Sequence, residues 1–463
     1  MALDLLDGVF YRPVFSEEGY GGTRYLPVTF SLQALFITIT GNTILSGYCV
    51  VFLSGLVMFL GLYRLLRELG VQRNLAICGL GFALSSIAMQ IAMITFQGDF
   101  LPAGLNIWGL AFVVMALKRH PAFLAFACVA FGLAFMSKIT TVFGAGSSFF
   151  YLLYRREFLK AGLLTAGTAV VAGTGMGTFY VLSDGRILDA FRATATGGMT
   201  YTDFLRYPLM IIRTLGVDFP FTIVAGCAVA GLYFLPRRVR FELPTFMLVF
   251  TGFLTAGLFL SPGVEFNHLV DVHLASVVFL VANVSWGHWR GTMVKAVPLC
   301  VAASAVIIVV WNVVWVVLVP DSYRLADRRA FVEQIPAGDL PVLSEDPFFL
   351  TMNGERPFML DAFALHQVVE HDPRVREDLF SRLEERAFRA VVLGPIPYFM
   401  HKRLDLRLKG KQFYGGFQFC DGFLEQLQAH YEPVLFTDLY VLFIPKHASA
   451  SPADASPRGN PVG

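Results

Sequence analysis

The sequence predicts a polytopic α-helical membrane protein with about ten transmembrane helices, followed by a small C-terminal α/β domain outside the membrane. Three observations predict it. About ten stretches of the first 320 residues are apolar enough to cross a bilayer, which takes about 20 residues for a hydrocarbon core of roughly 30 Å. Hydrophobic residues make up 56% of the chain and charged residues only 15%. From Asp321 onward, the composition becomes that of a soluble domain.

Basic clusters orient the apolar stretches. Arginine and lysine follow the first long stretch and recur near residues 118, 155, 237 and 290. If each cluster is cytoplasmic, the positive-inside rule pairs the stretches without conflict. The expected spans are 43–63, 75–96, 101–117, 121–137, 139–154, 161–182, 217–236, 244–261, 269–289 and 296–320. An even number of crossings returns the chain to its starting side, so both ends are expected outside the cytoplasm of a multi-pass inner (plasma) membrane protein.

Four regions follow from this arrangement. They are an outer loop with an interfacial helix (1–42), the transmembrane domain (43–320), the extracytoplasmic α/β domain (321–446) and a tail expected to be disordered (447–463). The interfacial helix is assigned to residues 26–40, an apolar segment that is too short to span comfortably. In the C-terminal domain, strands are predicted at 341–346, 388–394 and 433–445, the last as a hairpin.

Several functional classes are disfavoured by composition. A net charge of +2 provides no basic field for nucleic acid, so no nucleic-acid partner is expected. The six cysteines contain no CxxC pair, so neither a zinc site nor a disulfide framework is indicated. The start of the chain lacks the basic and apolar regions of a signal peptide.

Two charges lie where apolar spans meet. Asp99, in ITFQGDFLPAGLN, would cost about 2.5–3.5 kcal/mol at the membrane centre, so it should lie at the outer boundary or face a polar cavity. A compatible alternative is that Asp99 caps the helix beginning near Pro102. Lys138, in GLAFMSKITTVFG, falls on the outer side against the positive-inside trend. Snorkelling to headgroups is the structural alternative, but the position favours a cation for a lipid phosphate.

A third polar group occurs in PGVEFNHLVDVHLA. Asn267 and Asp271 fall on one helix face and can project together. They predict a hydrogen-bonding wall for a polar substrate, with metal coordination as the weaker alternative because the spacing is no standard zinc signature. His268 and His273 share no face and are expected to be interfacial polar residues.

Together these motifs resemble membrane glycosyltransferases of the GT-C class, of the protein O-mannosyltransferase and lipid A aminoarabinose-transferase type. RYLPVTFSLQALFITITGN, the acidic loop QGDFLP and GLAFMSKITTVFG carry the resemblance, with Ser137 and Lys138 at the family's Thr-Lys position. GVEFNHLVDVHLA is similar to a Gly…Asn-Tyr…Glu element, with His268 for Tyr and Asp271 for Glu. The resemblance covers roughly residues 1–290. The family begins with a membrane span that this chain is expected to lack.

The resemblance implies a transferase that moves a sugar from a polyprenyl-phosphate carrier to an acceptor on the extracytoplasmic face. By position, the family's catalytic acids fall to Asp4 or Asp7 and to Asp99, and Lys138 would hold the lipid phosphate. The other expected substrate-binding residues are Arg24, Tyr25, Asn267, His268 and Asp271.

The expected partners are membrane lipid, the lipid-linked sugar and an unidentified acceptor. The polyprenyl-phosphate sugar is the donor substrate, and no other cofactor is implied, although a divalent cation is left open. Two alternatives to an enzyme are a transporter or lipid flippase, which ten spans with buried polar residues would also suit, and a non-catalytic envelope assembly protein.

Overall fold

The chain folds as two compact units. The computed structural model describes residues 1–23, 25–94, 98–195, 218–234, 241–258, 268–287, 306, 310, 325–352, 354–394, 418–437 and 440–446. Unit 1 comprises Met1–Arg12 and Thr23–Val319, and unit 2 comprises Pro13–Gly22 and Pro320–Gly463.

Unit 1 is built from helices, most of them strongly apolar. They are α1 (Ala2–Leu6), α2 (Pro27–Thr40), α3 (Thr43–Glu68), α4 (Arg73–Leu84), α5 (Ile87–Ile94), α6 (Phe100–Lys118), α7 (Phe123–Ser137), α8 (Phe143–Tyr154), α9 (Phe158–Leu182), α10 (Arg186–Ala195), α11 (Phe219–Phe234), α12 (Leu243–Leu258) and α13 (Leu269–Ser285). Three of the described helices, α3, α6 and α9, are long and apolar enough to cross a membrane. The number of crossings stays a prediction, and the expected span at 296–320 lies almost entirely outside the described residues.

The span expected at 75–96 is wrong as one continuous helix. The chain forms α4 and α5 instead, and the two are separated at Ser85 and Ser86. Ser86 Oγ donates to Asp218 Oδ2 at 2.7 Å, and the same oxygen accepts from Ala88 N at 2.9 Å. A carboxylate from a distant part of the sequence therefore satisfies the first turn of α5, which hydropathy alone does not reveal.

Helix α6 lies largely buried within unit 1, and glycines let its neighbours approach closely. A Cβ at Gly104 would lie 2.9 Å from Met58 N on α3, and a Cβ at Gly109 would lie 2.3 Å from the Phe131 ring on α7. Close approach through small residues is the usual way in which apolar helices pack within membranes. This packing fixes α6 against α3 and α7. The charged residues described below stand directly before α6 and directly after α7.

Unit 2 contains a four-stranded mixed sheet with strand order β1-β2-β4-β3. Its elements are α14 (Leu325–Val332), β1 (Val342–Ser344), α15 (Phe348–Met352), α16 (Ala362–His371), α17 (Pro373–Glu384), β2 (Ala390–Leu393), α18 (Phe423–His430), β3 (Tyr431–Phe436) and β4 (Val441–Pro445). β1 and β2 pair in parallel, whereas β4 runs antiparallel to both β2 and β3. The strands overlap all three runs predicted from the sequence. The tail at 447–463 lies outside the described residues.

The segment Pro13–Gly22 belongs to unit 2, although the sequence suggests one outer loop through residue 42. Tyr20 is fully buried there. Its amide donates to Phe358 O at 2.8 Å and its hydroxyl donates to Asp378 Oδ2 at 2.7 Å. Gly19 has φ +132° and a Cβ there would lie 2.0 Å from Phe358 O, so only glycine suits this close approach.

Candidate active site

An ion pair joins two helix ends in unit 1. Lys138 follows the last residue of α7 and has an extended backbone (φ −156°, ψ 117°). Asp99 immediately precedes α6. Lys138 Nζ forms a salt bridge with Asp99 Oδ1, and the two side chains are 18% and 5% exposed. The ammonium is therefore held by a carboxylate within the protein, unlike that of a lysine that snorkels to headgroups.

Asp99 stands at the N-cap position of α6, but its side chain makes no capping hydrogen bond. Asp218 provides a comparison because it stands at the same position before α11, and its Oδ1 accepts from Phe221 N at 3.0 Å. A capping bond of that kind is worth about 1 kcal/mol. The cap alternative for Asp99 is thus right in position only, since the carboxylate pairs with Lys138 instead.

Asp271 is the third member of the cluster. It lies in the first turn of α13 and is half-buried. Its carboxylate interacts electrostatically with both Lys138 and Asp99. Lys138 is thus paired with one carboxylate and interacts electrostatically with a second, where three helices begin or end. Such a cluster can hold an anionic oxygen at the cation and accept a proton at a carboxylate.

Asn106 fixes the turn that carries Lys138. This fully buried side chain on α6 donates to Thr141 O at 2.7 Å and to Pro102 O at 3.0 Å. Its Oδ1 accepts from Gly144 N at 3.0 Å. The turn between α7 and α8 is thus bonded to the helix that Asp99 precedes. Sequence reasoning missed Asn106, although a polar residue inside an apolar span was an available signal.

The two acidic candidates in the first loop, Asp4 and Asp7, have different surroundings from Asp99. Asp4 is buried and Oδ1 accepts from Arg12 Nη2 at 2.5 Å. Burial alone would raise the pKa of the Asp4 carboxyl, but the Met1 ammonium and the Arg12 guanidinium outweigh it and lower that pKa. Asp7 is exposed at the end of α1. The structure therefore pairs Asp4 with Arg12, whereas it places Asp99 with Lys138 and Asp271.

The remaining predicted residues are spread more widely. Tyr25 is 47% exposed, and its carbonyl accepts from the Tyr11 hydroxyl at 2.9 Å. His268 is half-buried and immediately precedes α13. Arg24 and Asn267 lie outside the described residues, so the shared face predicted for Asn267 and Asp271 stays a prediction.

His273 is not the interfacial residue that the sequence suggests. It is completely buried, and its Nε2 lies 3.0 Å from Phe82 O. It also interacts electrostatically with Asp218. The prediction was wrong because helix α13 is buried on nearly all sides, so a polar side chain in its second turn faces protein. Asp218 itself was missed, although Asp followed two residues later by Pro220 is a helix-start signal.

Within the described ranges, no group of three or more His, Cys, Asp or Glu side chains is placed to hold a metal ion. The two carboxylates of the cluster are already balanced in part by Lys138.

Residues 25–176 match the family model described as dolichyl-phosphate-mannose-protein mannosyltransferase. A search of curated protein sequences gives no significant match. The family match covers α2 to most of α9 and therefore includes both Asp99 and Lys138.

Solved structures with a similar fold cover nearly the whole chain. The crystal structure of ArnT from Cupriavidus metallidurans in the apo state matches with a TM-score of 0.59 at 13% identity, over 96% of this chain and 91% of that one. The same protein bound to undecaprenyl phosphate matches with a TM-score of 0.54 at 12% identity, over 97% and 93%. An apo oligosaccharyltransferase from Archaeoglobus fulgidus matches with a TM-score of 0.50 at 11% identity, over 92% of this chain and 66% of that one. The predicted resemblance to GT-C membrane glycosyltransferases is confirmed.

Proposed function

We propose that this chain, which has the fold of GT-C membrane glycosyltransferases, transfers a sugar from a polyprenyl-phosphate carrier to an acceptor hydroxyl on the extracytoplasmic face of the inner membrane. The family match and the likeness to ArnT, one of whose structures is bound to undecaprenyl phosphate, support a lipid-linked donor. Unit 2, including its mixed sheet, would then lie outside the cytoplasm as an α/β domain.

One observation carries the proposal: Lys138 forms a salt bridge with Asp99 and interacts electrostatically with Asp271, where helices of apolar sequence begin or end. Lysine is a suitable point cation for phosphate. Carboxylates beside it are suitable acceptors for the proton of an attacking hydroxyl. A cation and a base within one small cluster are the two groups that this displacement requires.

The proposed reaction is a single displacement. The acceptor oxygen forms a bond to the sugar's anomeric carbon, and its proton passes to Asp99. The bond between that carbon and the phosphate oxygen breaks, and its electron pair leaves with the polyprenyl phosphate. Lys138 stabilises the negative charge that develops on this phosphate. Inversion needs only one base, so Asp271 would act by keeping the ammonium in place.

An apolar groove supports a lipid-linked donor. It has a volume of about 440 Å³ and is lined by α7, α8 and α9, including Phe131, Phe149 and Leu164. Thr141 also lines it, and the Thr141 hydroxyl donates to Lys138 O at 2.7 Å. A carrier whose phosphate met Lys138 would thus have an apolar surface for its chain at the turn that carries Lys138.

The first-loop acids would have different roles. Asp4 is engaged by Arg12 in a buried pair, which suits the positioning of the loop better than proton transfer. Asp7 is exposed and remains the candidate through which this loop would meet the substrate. We assign the role of base to Asp99 because its carboxylate lies beside the Lys138 ammonium.

The transporter alternative predicts broken helices with ends that face a cavity. One break occurs between α4 and α5, but Ser86 and Ala88 there both donate to Asp218. Because the Asp218 carboxylate already accepts hydrogen bonds at this break, the break does not resemble a helix end that binds a transported ion.

The test is transfer of radiolabelled sugar from polyprenyl phosphate in membranes that contain the protein. We expect Asp99→Asn and Lys138→Ala each to lower the transfer rate by about a hundredfold or more. Matched controls are Asp189→Asn, whose side chain is 64% exposed, and Lys160→Ala, which pairs with Glu157. Full activity in both Asp99→Asn and Lys138→Ala would contradict the site assignment.

A further inference from the structure

Helices α3 and α6 end together in a basic patch that comprises Arg64, Arg67, Glu68, Lys118 and Arg119. Glu68 is buried, and its Oε1 lies 2.8 Å from both Arg64 Nη2 and Arg119 Nη2. Lys118 Nζ donates to the backbone carbonyl of Glu68 at 2.6 Å. Cations from two helices are therefore held beside one another by a single buried residue.

Positive charge is in excess within the basic patch. Glu68 supplies one negative charge, whereas the other side chains of the patch are all cationic. The Arg64 and Arg119 side chains are 37% and 55% exposed. A guanidinium has five N–H donors, and Glu68 occupies only part of each set. Donors on two helices therefore remain available to an anion that approaches from outside the protein.

The expected depth of the patch is that of lipid headgroups. α3 and α6 are both long and apolar enough to cross a membrane, and both end at the patch. The end of a membrane-spanning helix meets the headgroup layer, which contains the lipid phosphates. The positive-inside pattern predicts that this layer belongs to the cytoplasmic leaflet.

An exposed apolar row leads along α3 to the patch. Phe52, Leu56 and Leu60 are 75%, 45% and 52% exposed, and Arg64 follows Leu60 at the same four-residue spacing. Residues four apart lie on one face of a helix. From Phe52 to Leu60 the helix rises about 12 Å, which is most of the roughly 15 Å that one leaflet's hydrocarbon occupies. An acyl chain can therefore lie along this row while its phosphate reaches Arg64.

We propose that the basic patch and the apolar row form a binding site for an anionic phospholipid of the membrane. The phosphodiester accepts hydrogen bonds from Arg64 and Arg119, whose paired N–H groups match phosphate oxygens. The excess of cations favours a headgroup without an ammonium, because such a lipid keeps a full negative charge. This site is separate from the proposed site of sugar transfer, since Asp99 stands at the other end of α6.

The experiment titrates the purified, delipidated full chain in detergent micelles with phosphatidylglycerol or with phosphatidylcholine of the same acyl chains. The melting temperature is followed, because a ligand that binds the folded state raises it in proportion to occupancy and so reports an apparent Kd. We expect the Kd for phosphatidylglycerol to be at least about tenfold lower than that for phosphatidylcholine. Glycerol 3-phosphate, which has the phosphate without acyl chains, is titrated in parallel.

Two double variants separate this site from general charge attraction. Lys118→Gln with Arg119→Gln removes two cations while Arg64 still balances Glu68, and it should raise the Kd for phosphatidylglycerol about tenfold or more. Lys118→Gln alone keeps a donor for the Glu68 carbonyl and should raise that Kd about fivefold. The matched control is Arg155→Gln with Arg156→Gln, which removes the same charge from two exposed residues after α8. The control should keep a Kd close to that of wild type.

Three results would overturn the proposal. Equal Kd values for the two phospholipids would exclude selection of an anionic headgroup. Equal weakening in the two double variants would show that binding follows net charge and not this patch. A stabilisation by glycerol 3-phosphate as large as that by phosphatidylglycerol at the same concentration would identify a free phosphate ester as the ligand.

Discussion

Asn106 and Thr141 are joined by a hydrogen bond from Asn106 Nδ2 to Thr141 O, 2.7 Å long and completely buried. The bond connects α6, which begins directly after Asp99, with the turn that begins at Lys138. Thr141 N in turn donates to Lys138 O at 3.0 Å. The relative position of the acid and the cation is therefore set by a neutral amide two helical turns away.

Replacing that amide should impair the site without touching it. Asn106→Leu removes three hydrogen bonds and leaves the Thr141 carbonyl and the Gly144 amide buried without their partner. We expect the transfer rate to fall about tenfold to a hundredfold, because small displacements of catalytic groups are costly. The free energy of unfolding should fall by about 1–3 kcal/mol. Asn283→Leu is the control, since Asn283 is a buried asparagine that donates to Phe279 O within its own helix. Similar rates in the two variants would show that Asn106 does not position Lys138.

Asp99 and Asp218 allow a proposed catalytic carboxylate to be compared with a structural one. Asp218 is fully buried and accepts from Ser86, Ala88 and Phe221. Asp218→Ala should therefore lower the free energy of unfolding by about 1–3 kcal/mol through the loss of two helix starts, and the melting temperature with it. Asp99→Asn removes no capping bond, so it should leave the start of α6 intact, whereas kcat should fall about a hundredfold or more. Thermal unfolding in detergent, measured beside the transfer assay, distinguishes these outcomes. A large kcat loss in a fully stable Asp218→Ala variant would contradict the structural role.

The Lys138 ion pair predicts non-additive stability effects. Lys138→Met leaves the mostly buried Asp99 carboxylate without its cation, which should destabilise the protein by about 3 kcal/mol. Adding Asp99→Asn should recover part of that loss, because the uncompensated charge is then gone. A double-mutant cycle of free energies of unfolding measures the coupling, expected at about 1–3 kcal/mol. Strictly additive effects would mean that the ion pair contributes nothing to folding.

The Asp4–Arg12 pair predicts a loss of stability in acid. Because the pKa of Asp4 is held below its ordinary value of 3.8, the ionised carboxyl contributes stability above that value. This contribution disappears as the pH falls through the lower pKa of the folded state. The melting temperature should therefore drop below about pH 4 in wild type and change less with pH in Asp4→Asn, which starts from a lower value. Asp7→Asn is the control because Asp7 is exposed. An identical pH profile in wild type and Asp4→Asn would rule out the pair as the cause.

The sequence revealed the charges of the site but not their contacts. Asp99, Lys138 and Asp271 each attract notice because a charge among apolar spans needs an explanation. That Asp99 and Lys138 meet depends on how α6 and α7 pack, which no local pattern encodes. The break between α4 and α5 was missed for the same reason. Its cause, Asp218, lies more than 100 positions away, since the bond from Ser86 spans 132 residues. The fold class, by contrast, follows from hydropathy and from motifs that lie close together in the sequence.

The predicted orientation can be checked with single cysteines in a variant without the six native ones. Gly41, at the end of α2, and His120, between α6 and α7, are both exposed. Gly41 has φ +64°, so a cysteine there costs about 1–2 kcal/mol in backbone strain, whereas a cysteine at His120 meets no such cost. The positive-inside pattern places Gly41 outside and His120, beside Lys118 and Arg119, in the cytoplasm. An impermeant thiol reagent applied to intact cells should therefore label Gly41→Cys at once and label His120→Cys only after lysis. Both sites lie within two residues of a described helix end, so the result reports directly on α3 and α6. Labelling of His120→Cys from outside would invert the topology and move the proposed acceptor chemistry to the cytoplasmic face.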